Sequence, residues 1–287
     1  MPEQDPTERL ESGVQAHYAN AGLLDRMIAA LAEMGEDPDS PSPEAVARLD
    51  QMHVRGGAAT EELHDLLRIE PDHSVLDVGC GIAGPARALA RRIGCPVTGL
   101  DLTADFCAAG RELNFLLGLE DLVEIVEGSA LDMPFEDESF DIAVTQHAAM
   151  NIEDKTTLYR EVARVLEPGG RFGLYDIMAG PGGAARYPAP WASEAAYSFL
   201  ETPDQIRSCI EAAGLRLVSW EDVTPKALAW MADQKAEREA RAARGEKESP
   251  AGAALLMGKA APEKLKNMAR NLHETRIVTV MAVFEKP

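Results

Sequence analysis

Short apolar runs recur along this chain, at 74–78, 96–100, 123–127, 142–145, 171–176, 215–220 and 277–284. Runs of that length bounded by turn residues predict buried strands, and the stretches between them are mostly long enough for helical crossovers. Alternation of this kind predicts an α/β fold with a doubly wound, mostly parallel sheet. After the first strand, Pro85-Ala-Arg-Ala-Leu-Ala-Arg-Arg92 reads as a helix; before it, Leu23–Leu31 carries the spacing of one buried helical face. Ser42-Pro43-Glu44 begins another helix with a side-chain cap and proline in its first turn.

Four segments follow from this pattern. Residues 1–60 are a helical segment lying over the ligand site, 61–185 the sheet core, 186–275 the remaining core elements with an inserted helical cap, and 276–287 the terminal strand. Tyr187-Pro-Ala-Pro-Trp191 is too rich in proline for a central strand, whereas Thr202–Gly214 reads as a helix ended by glycine. The charged run Gln234–Gly245 belongs to the cap and has the composition of a solvated helix face.

The chemistry concentrates in Val75-Leu-Asp-Val-Gly-Cys-Gly-Ile-Ala-Gly-Pro85. Gly79, Gly81 and Gly84 allow a tight turn and a close backbone approach to a ligand, a spacing that also suits dinucleotides. Asp77, two residues before the first glycine, would repel a pyrophosphate and attract an ammonium group. Asp101 closes the next strand 22 residues after Gly79, where an acidic residue binds ribose hydroxyls. A nucleoside with an amino-acid tail and no phosphate satisfies both carboxylates.

Asp77-Val-Gly-Cys-Gly81 followed by Asp101-Leu102 resembles the first two motifs of the class I S-adenosylmethionine-dependent methyltransferases. The resemblance continues through Glu127-Gly-Ser-Ala130, Phe135–Val144 and Leu166-Glu-Pro-Gly-Gly-Arg171, and covers roughly residues 55–180. It implies a seven-stranded Rossmann-like sheet whose last strand runs antiparallel, with S-adenosylmethionine as cofactor. Asp77, Gly79, Cys80, Gly81, Gly84, Asp101, Leu102, Ser129 and Ala130 would then border the cofactor, although Ser129 stands where many members carry Asp. Thr145–Lys155, Tyr175–Gly183 and Tyr187–Trp191 further resemble sarcosine and dimethylglycine N-methyltransferases and their bacterial relatives, which implies a small amine as methyl acceptor.

Composition narrows the field. With 28 basic and 48 acidic residues the formal charge is −20, which disfavours nucleic acid and anionic membrane surfaces as partners. Cys80, Cys95, Cys107 and Cys209 lack metal or redox spacing, and no metal requirement is expected. No leader-like start and no long apolar stretch are evident, so a soluble cytoplasmic protein, monomeric or homodimeric, is expected.

Candidate site residues beyond the motifs cluster after the fourth strand. His147 is the leading candidate for contact with the acceptor, and Gln146 and Asn151 either orient the cofactor's methionine part or brace the loop. Tyr18 is a candidate for closing the pocket over the sulfonium, and Arg55 and Gly56 for receiving the methionine carboxylate. Tyr187, Trp191 and Tyr197 are candidates for an aromatic cage or for cap packing; Arg55 and Arg186 are candidates for an acceptor carboxylate. O- or C-methylation, a nicotinamide-dependent oxidoreductase and a non-catalytic cofactor-binding protein remain as alternatives.

Overall fold

Runs rich in β-branched and other apolar residues form the strands of a computed structural model that describes residues 22–245, 255 and 257–287. The strands are β1 (Val75–Val78), β2 (Val97–Asp101), β3 (Val123–Glu127), β4 (Phe140–Gln146), β5 (Leu166–Ala179), β6 (Arg216–Asp222) and β7 (Ile277–Glu285). The described helices are α1 (Leu23–Glu33), α2 (Pro43–Asp50), α3 (Gly57–Leu67), α4 (Gly84–Ile93), α5 (Ala104–Leu116), α6 (Lys155–Val165), α7 (Pro203–Ala212), α8 (Thr224–Ala243) and α9 (Ala261–His273). A further one-turn 3-10 segment, Ala149–Asn151, follows β4.

The strands lie in the order β3-β2-β1-β4-β5-β7-β6. β1 to β5 pair in parallel, and β7, antiparallel as the resemblance implied, inserts between β5 and β6. Helices α3, α4 and α5 cover one face of the sheet, against Val75, Val97, Ile142 and Val144. α6 and α7 cover the other, against Leu76, Leu100, Phe172 and Phe284. Both faces being covered, the strands read as nearly unbroken apolar runs. The connections reverse direction between β1 and β4, which opens a crevice at the carboxyl ends of those two strands.

β5 starts at Leu166, five residues before the expected Arg171. Its extension is held by the chain beyond β7: Gly169 N–H donates to the Lys286 carbonyl at 2.8 Å, and Lys286 N–H to that of Gly170 at 2.9 Å. The charged run after β6 forms the exposed half of α8, and α9 returns to β7, packing Met268 and Leu272 with Trp191 and Ile277. Both helices lie within 186–275, the segment expected to carry an inserted helical cap.

α1 and α2 pack Leu23, Met27, Leu31 and Leu49 against Ile82, Phe106 and Leu113. Their attachment is also ionic. Arg87 on α4 is 2% exposed and Asp50 at the end of α2 is 3% exposed; Arg87 Nη2 lies 3.0 Å from Asp50 Oδ2. Arg87 also donates to Asn114 Oδ1 at 2.8 Å and to the Ile82 carbonyl at 2.6 Å, so one guanidinium joins α2, α4 and α5. Removing one partner of such a pair strands the other without water, at about 3–5 kcal/mol. Arg87→Leu is therefore expected to lower unfolding free energy by that amount in urea, while Arg91→Leu, which breaks an exposed pair with Glu44, changes it by less than about 1 kcal/mol. Equal losses in the two variants would contradict the role given to Arg87.

Candidate active site

Four turns meet at the carboxyl ends of β1 to β4, and the chain just after α2 closes over them. Together with α8 and α9 of the cap they enclose a cavity of about 510 Å³. Its floor is the glycine turn. Gly79 and Gly81 have φ of 76° and 57°, the left-handed region that favours glycine. A Cβ on Gly79 would sit 2.4 Å from the Cβ of Ala148, so the absent side chain lets the turn after β4 close against the turn after β1. Gly84 does a different job: a Cβ there would meet the Asp50 carbonyl oxygen at 2.5 Å, and the residue does not line the cavity.

Two carboxylates define the polar end. Asp101 Oδ2 accepts from Gly81 N–H and Oδ1 from Thr103 N–H, both at 2.8 Å, which fixes the carboxylate beneath the glycine turn. Asp77 is 2% exposed and its Oδ2 is buried with no partner. Burial, reinforced by the charge of Asp101, pushes the Asp77 carboxyl up to about 7. Ser129 and Ala130, after β3, line the same cavity, as do Cys80 and Leu102; the Ser129 hydroxyl accepts from Leu131 N–H at 3.1 Å.

The turn after β4 supplies the second set of polar atoms. His147 has φ 51°, and its N–H donates to the Tyr175 carbonyl at 2.8 Å, which turns the ring back onto Tyr175 at a centroid distance of 4.7 Å. The His147 Nε2 is buried without a partner, and burial beside His53 holds the ring well below the ordinary imidazole range. His53 packs edge-on against His147 at 5.8 Å, and its Nε2 lies 3.0 Å from the Gly56 carbonyl, which can only accept. Its proton is thereby assigned to Nε2. Burial lowers the His53 pKa to about 4. Thr60 Oγ1 donates within reach of Gln51 Oε1 and of Gln146 Oε1, at 3.0 and 3.3 Å, which leaves Gln146 Nε2 buried without a partner.

This turn rests on a buried lysine and a buried aspartate that sequence reading did not single out. Lys155, at the start of α6, donates to the Ile152 carbonyl and, at 2.8 Å, to that of Phe199. Asp176, 2% exposed on β5, lies close enough to Lys155 that the two charges act on each other. Burial moves both toward neutrality, Lys155 down to about 8 and Asp176 up to about 7. Asn151 completes the brace by donating to the Trp191 carbonyl at 2.8 Å and the Tyr197 carbonyl at 3.2 Å. The available signal was a carboxylate inside the buried run 171–176.

Asp77, Gly79, Cys80, Gly81, Asp101, Leu102, Ser129, Ala130, Gln146 and His147 all border one cavity, so most of the sequence candidates are brought together. Gly56 does not border it; it precedes α3 and its carbonyl serves His53. Arg55 is paired with Glu62 at 2.5 Å and Arg186 with Glu274 at 2.9 Å, and neither borders the cavity. Of the three aromatic cage candidates, Trp191 borders it, while Tyr187 and Tyr197 pack in the cluster behind. Tyr18 lies outside the described residues. Wall residues that sequence reading missed include Phe199, from the segment before α7, and Trp230, Met231, Leu265 and Met268, which α8 and α9 supply without any motif. Among the described residues, the group with metal-ligand spacing is Glu70, Asp72 and His73, away from the cavity, and no helix is long and apolar enough to cross a membrane.

The sequence profile of a methyltransferase domain matches residues 76–174. Methyltransferase GfsG of Streptomyces halstedii is 32% identical over 205 residues, which cover 70% of this chain and 72% of that protein. The glycine/sarcosine/dimethylglycine N-methyltransferase of Actinopolyspora halophila is 33% identical over 156 residues, 54% of this chain and only 28% of that longer protein. The fold is that of geranyl diphosphate C-methyltransferase from Streptomyces coelicolor A3(2), with a TM-score of 0.63 at 22% identity over 81% of this chain and 76% of that one.

The buried histidines give a direct test of this electrostatic description. Because the folded pKa of His53 lies below the ordinary 6.5, the unfolded chain takes up the proton first. Stability contributed by His53 is complete above 6.5 and is lost as pH falls toward 4. Heteronuclear NMR of the imidazole nitrogens is expected to show His53 protonated at Nε2 with a midpoint near 4. A midpoint above pH 6 would mean that the ring is hydrated.

Proposed function

We propose, from the premise that this chain belongs to the family of S-adenosylmethionine-dependent methyltransferases, that it transfers a methyl group to the nitrogen of a small amine held in the cap half of the cavity. One observation carries the reading: Asp77 Oδ2, Gln146 Nε2 and His147 Nε2 are buried polar atoms without partners, on residues that border the same cavity. Buried polar atoms are nearly always satisfied; of the four such atoms on residues of this cavity Asp50 Oδ1 belongs to the Arg87 pair, and the other three call for a ligand that supplies the missing hydrogen bonds.

The residues present fit that cofactor. When bound, it supplies a methyl group activated on a sulfonium. Asp77 is suited to its ammonium, Asp101 to the two ribose hydroxyls, and Gln146 Nε2 to its carboxylate. Gly79 and Gly81 allow the backbone approach, Cys80, Leu102 and Ala130 bound the nucleoside, and Ser129 offers a hydroxyl near the adenine end. No phosphate has a place beside Asp77, which argues against a nicotinamide dinucleotide.

His147 and His53, both held neutral, are poor stores for a proton. The chamber instead acts on the acceptor by desolvation. An ammonium entering apolar surroundings is driven toward its neutral form, which carries the lone pair needed for in-line attack, whereas a phenol is driven away from its anion. That contrast favours nitrogen over oxygen. His147 Nε2 is placed to hold the acceptor by a hydrogen bond, and the cap keeps water out. The amine-methylating relative supports the same choice.

Two measurements test the reading. Calorimetric affinity for S-adenosylhomocysteine is expected to rise about tenfold per pH unit up to about 7 and then level off, because its ammonium binds ionised Asp77. Asp77→Asn should bind more weakly with no such slope; a flat wild-type profile would remove the ammonium from Asp77. Incubation with labelled S-adenosylmethionine and a panel of sarcosine, dimethylglycine, larger amines and phenols should then give N-methylated products. Label on phenols alone would move the acceptor to oxygen and leave the cofactor assignment intact.

A further inference from the structure

One cation in the cap half of the cavity has no counter-charge among the described residues. Lys264 on α9 is 8% exposed and borders the cavity beside Leu265 and Met268. No hydrogen bond or ion pair to it is found among the described residues. Burial alone, with no carboxylate acting on it, lowers its pKa below the usual lysine range. In a chain with a net charge of −20, a buried lysine left without an acidic partner is conspicuous. Of the acidic residues at the same cavity wall, Asp154 is occupied, capping α6 through Thr157 N–H at 2.9 Å and the Thr157 hydroxyl at 2.6 Å, and Glu153 is exposed.

The surroundings of Lys264 are apolar and fixed. Trp191, Phe199, Trp230 and Met231 face the same space. Its helix is pinned to the opposite wall: Asn267 Nδ2 donates to the Pro188 carbonyl at 2.9 Å and Asn271 Nδ2 to that of Arg186 at 3.1 Å. Lys264 therefore sits on a rigid wall, and reaching a distant surface carboxylate would require moving α9. An ammonium beside such walls, with no partner of its own, is best satisfied by a charge brought in from outside.

We propose that Lys264 is a specificity-determining residue, and that the methyl acceptor carries an apolar body, seated against Trp191, Trp230 and Phe199, together with one anionic group received by Lys264. The proposal deepens the acceptor side of the reading above and rests on it. It assigns to Lys264 the part for which Arg55 and Arg186 were sequence candidates, since both of those are paired elsewhere. It also sets the acceptor apart from a bare zwitterion such as sarcosine, which has a carboxylate but no surface to offer the aromatic wall.

The test uses chain-matched probes on the full-length protein saturated with S-adenosylhomocysteine. Octanoate, octanamide and acetate separate charge from apolar body. Calorimetry is expected to show octanoate at least about tenfold tighter than octanamide, and acetate far weaker than either. In Lys264→Met the octanoate preference should vanish while octanamide affinity changes less than about threefold; Lys264→Arg should keep the preference. Equal affinity of wild type for octanoate and octanamide would overturn the proposal, as would a preference that survives in Lys264→Met. The wild-type comparison decides even if the methionine variant fails to fold. Saturation with S-adenosylhomocysteine is measured first, so its absence would count against the cofactor reading, while the probes, titrated alone, still decide the role of Lys264.

Discussion

The whole site depends on one close approach, between Gly79 and Ala148. With 2.4 Å between a hypothetical Cβ and the neighbouring methyl carbon, any side chain at position 79 would push the turn after β4 off the turn after β1. Those turns carry the two halves of the chemistry. Asp77 and the glycine backbone lie on one, Gln146 and His147 on the other, and their polar atoms reach a common space only because the turns touch. The second turn is then locked from behind by Lys155, Asp176 and Asn151, and from the side by the His147–Tyr175 backbone bond. Geometry that precise suits an in-line displacement, where alignment supplies much of the acceleration.

Electrostatics gives the cavity its preference for a cation. Asp50, Asp77 and Asp101 all border it, and burial raises the pKa of each. Asp50 is offset by Arg87 at Oδ2, although its Oδ1 has no partner, and Asp101 by backbone donors; Asp77 has neither a cation beside it nor a hydrogen bond at Oδ2. An incoming ammonium or sulfonium lessens that strain, whereas a phosphate would worsen it. The cap half presents the opposite arrangement, aromatic walls with a single buried lysine. Under the proposed function, one cavity would sort its two ligands by charge before any shape matching.

The sheet was legible in the sequence because β1, β4 and β7 are buried on both faces and read as apolar runs; the edge strand β3 alternates buried and exposed positions, and it too begins and ends where the pattern says. That Asp77, Gly79, Gly81 and Asp101 meet at one cavity was equally legible, since they are local in sequence and each answers to a backbone or charge requirement. The acceptor half was not. Phe199, Trp230, Met231 and Lys264 come from distant segments of the cap and meet only after folding, and no spacing rule links them. Gly84 shows the reverse error: the glycine fits the ligand-turn pattern, yet its missing side chain accommodates Asp50. Lys155 and Asp176 were hidden because a helix-start lysine and a strand-end aspartate look ordinary until the fold buries both.

A crystal structure of the protein with S-adenosylhomocysteine bears most directly on this account. The ribose hydroxyls are expected within hydrogen-bond distance of Asp101, the ammonium beside Asp77 Oδ2, and the sulfur facing His147 and the aromatic wall of the cap. A ligand bound in that cavity with its ribose on Asp77, or with its sulfur turned away from His147, would contradict the arrangement from which both the cofactor reading and the acceptor reading proceed.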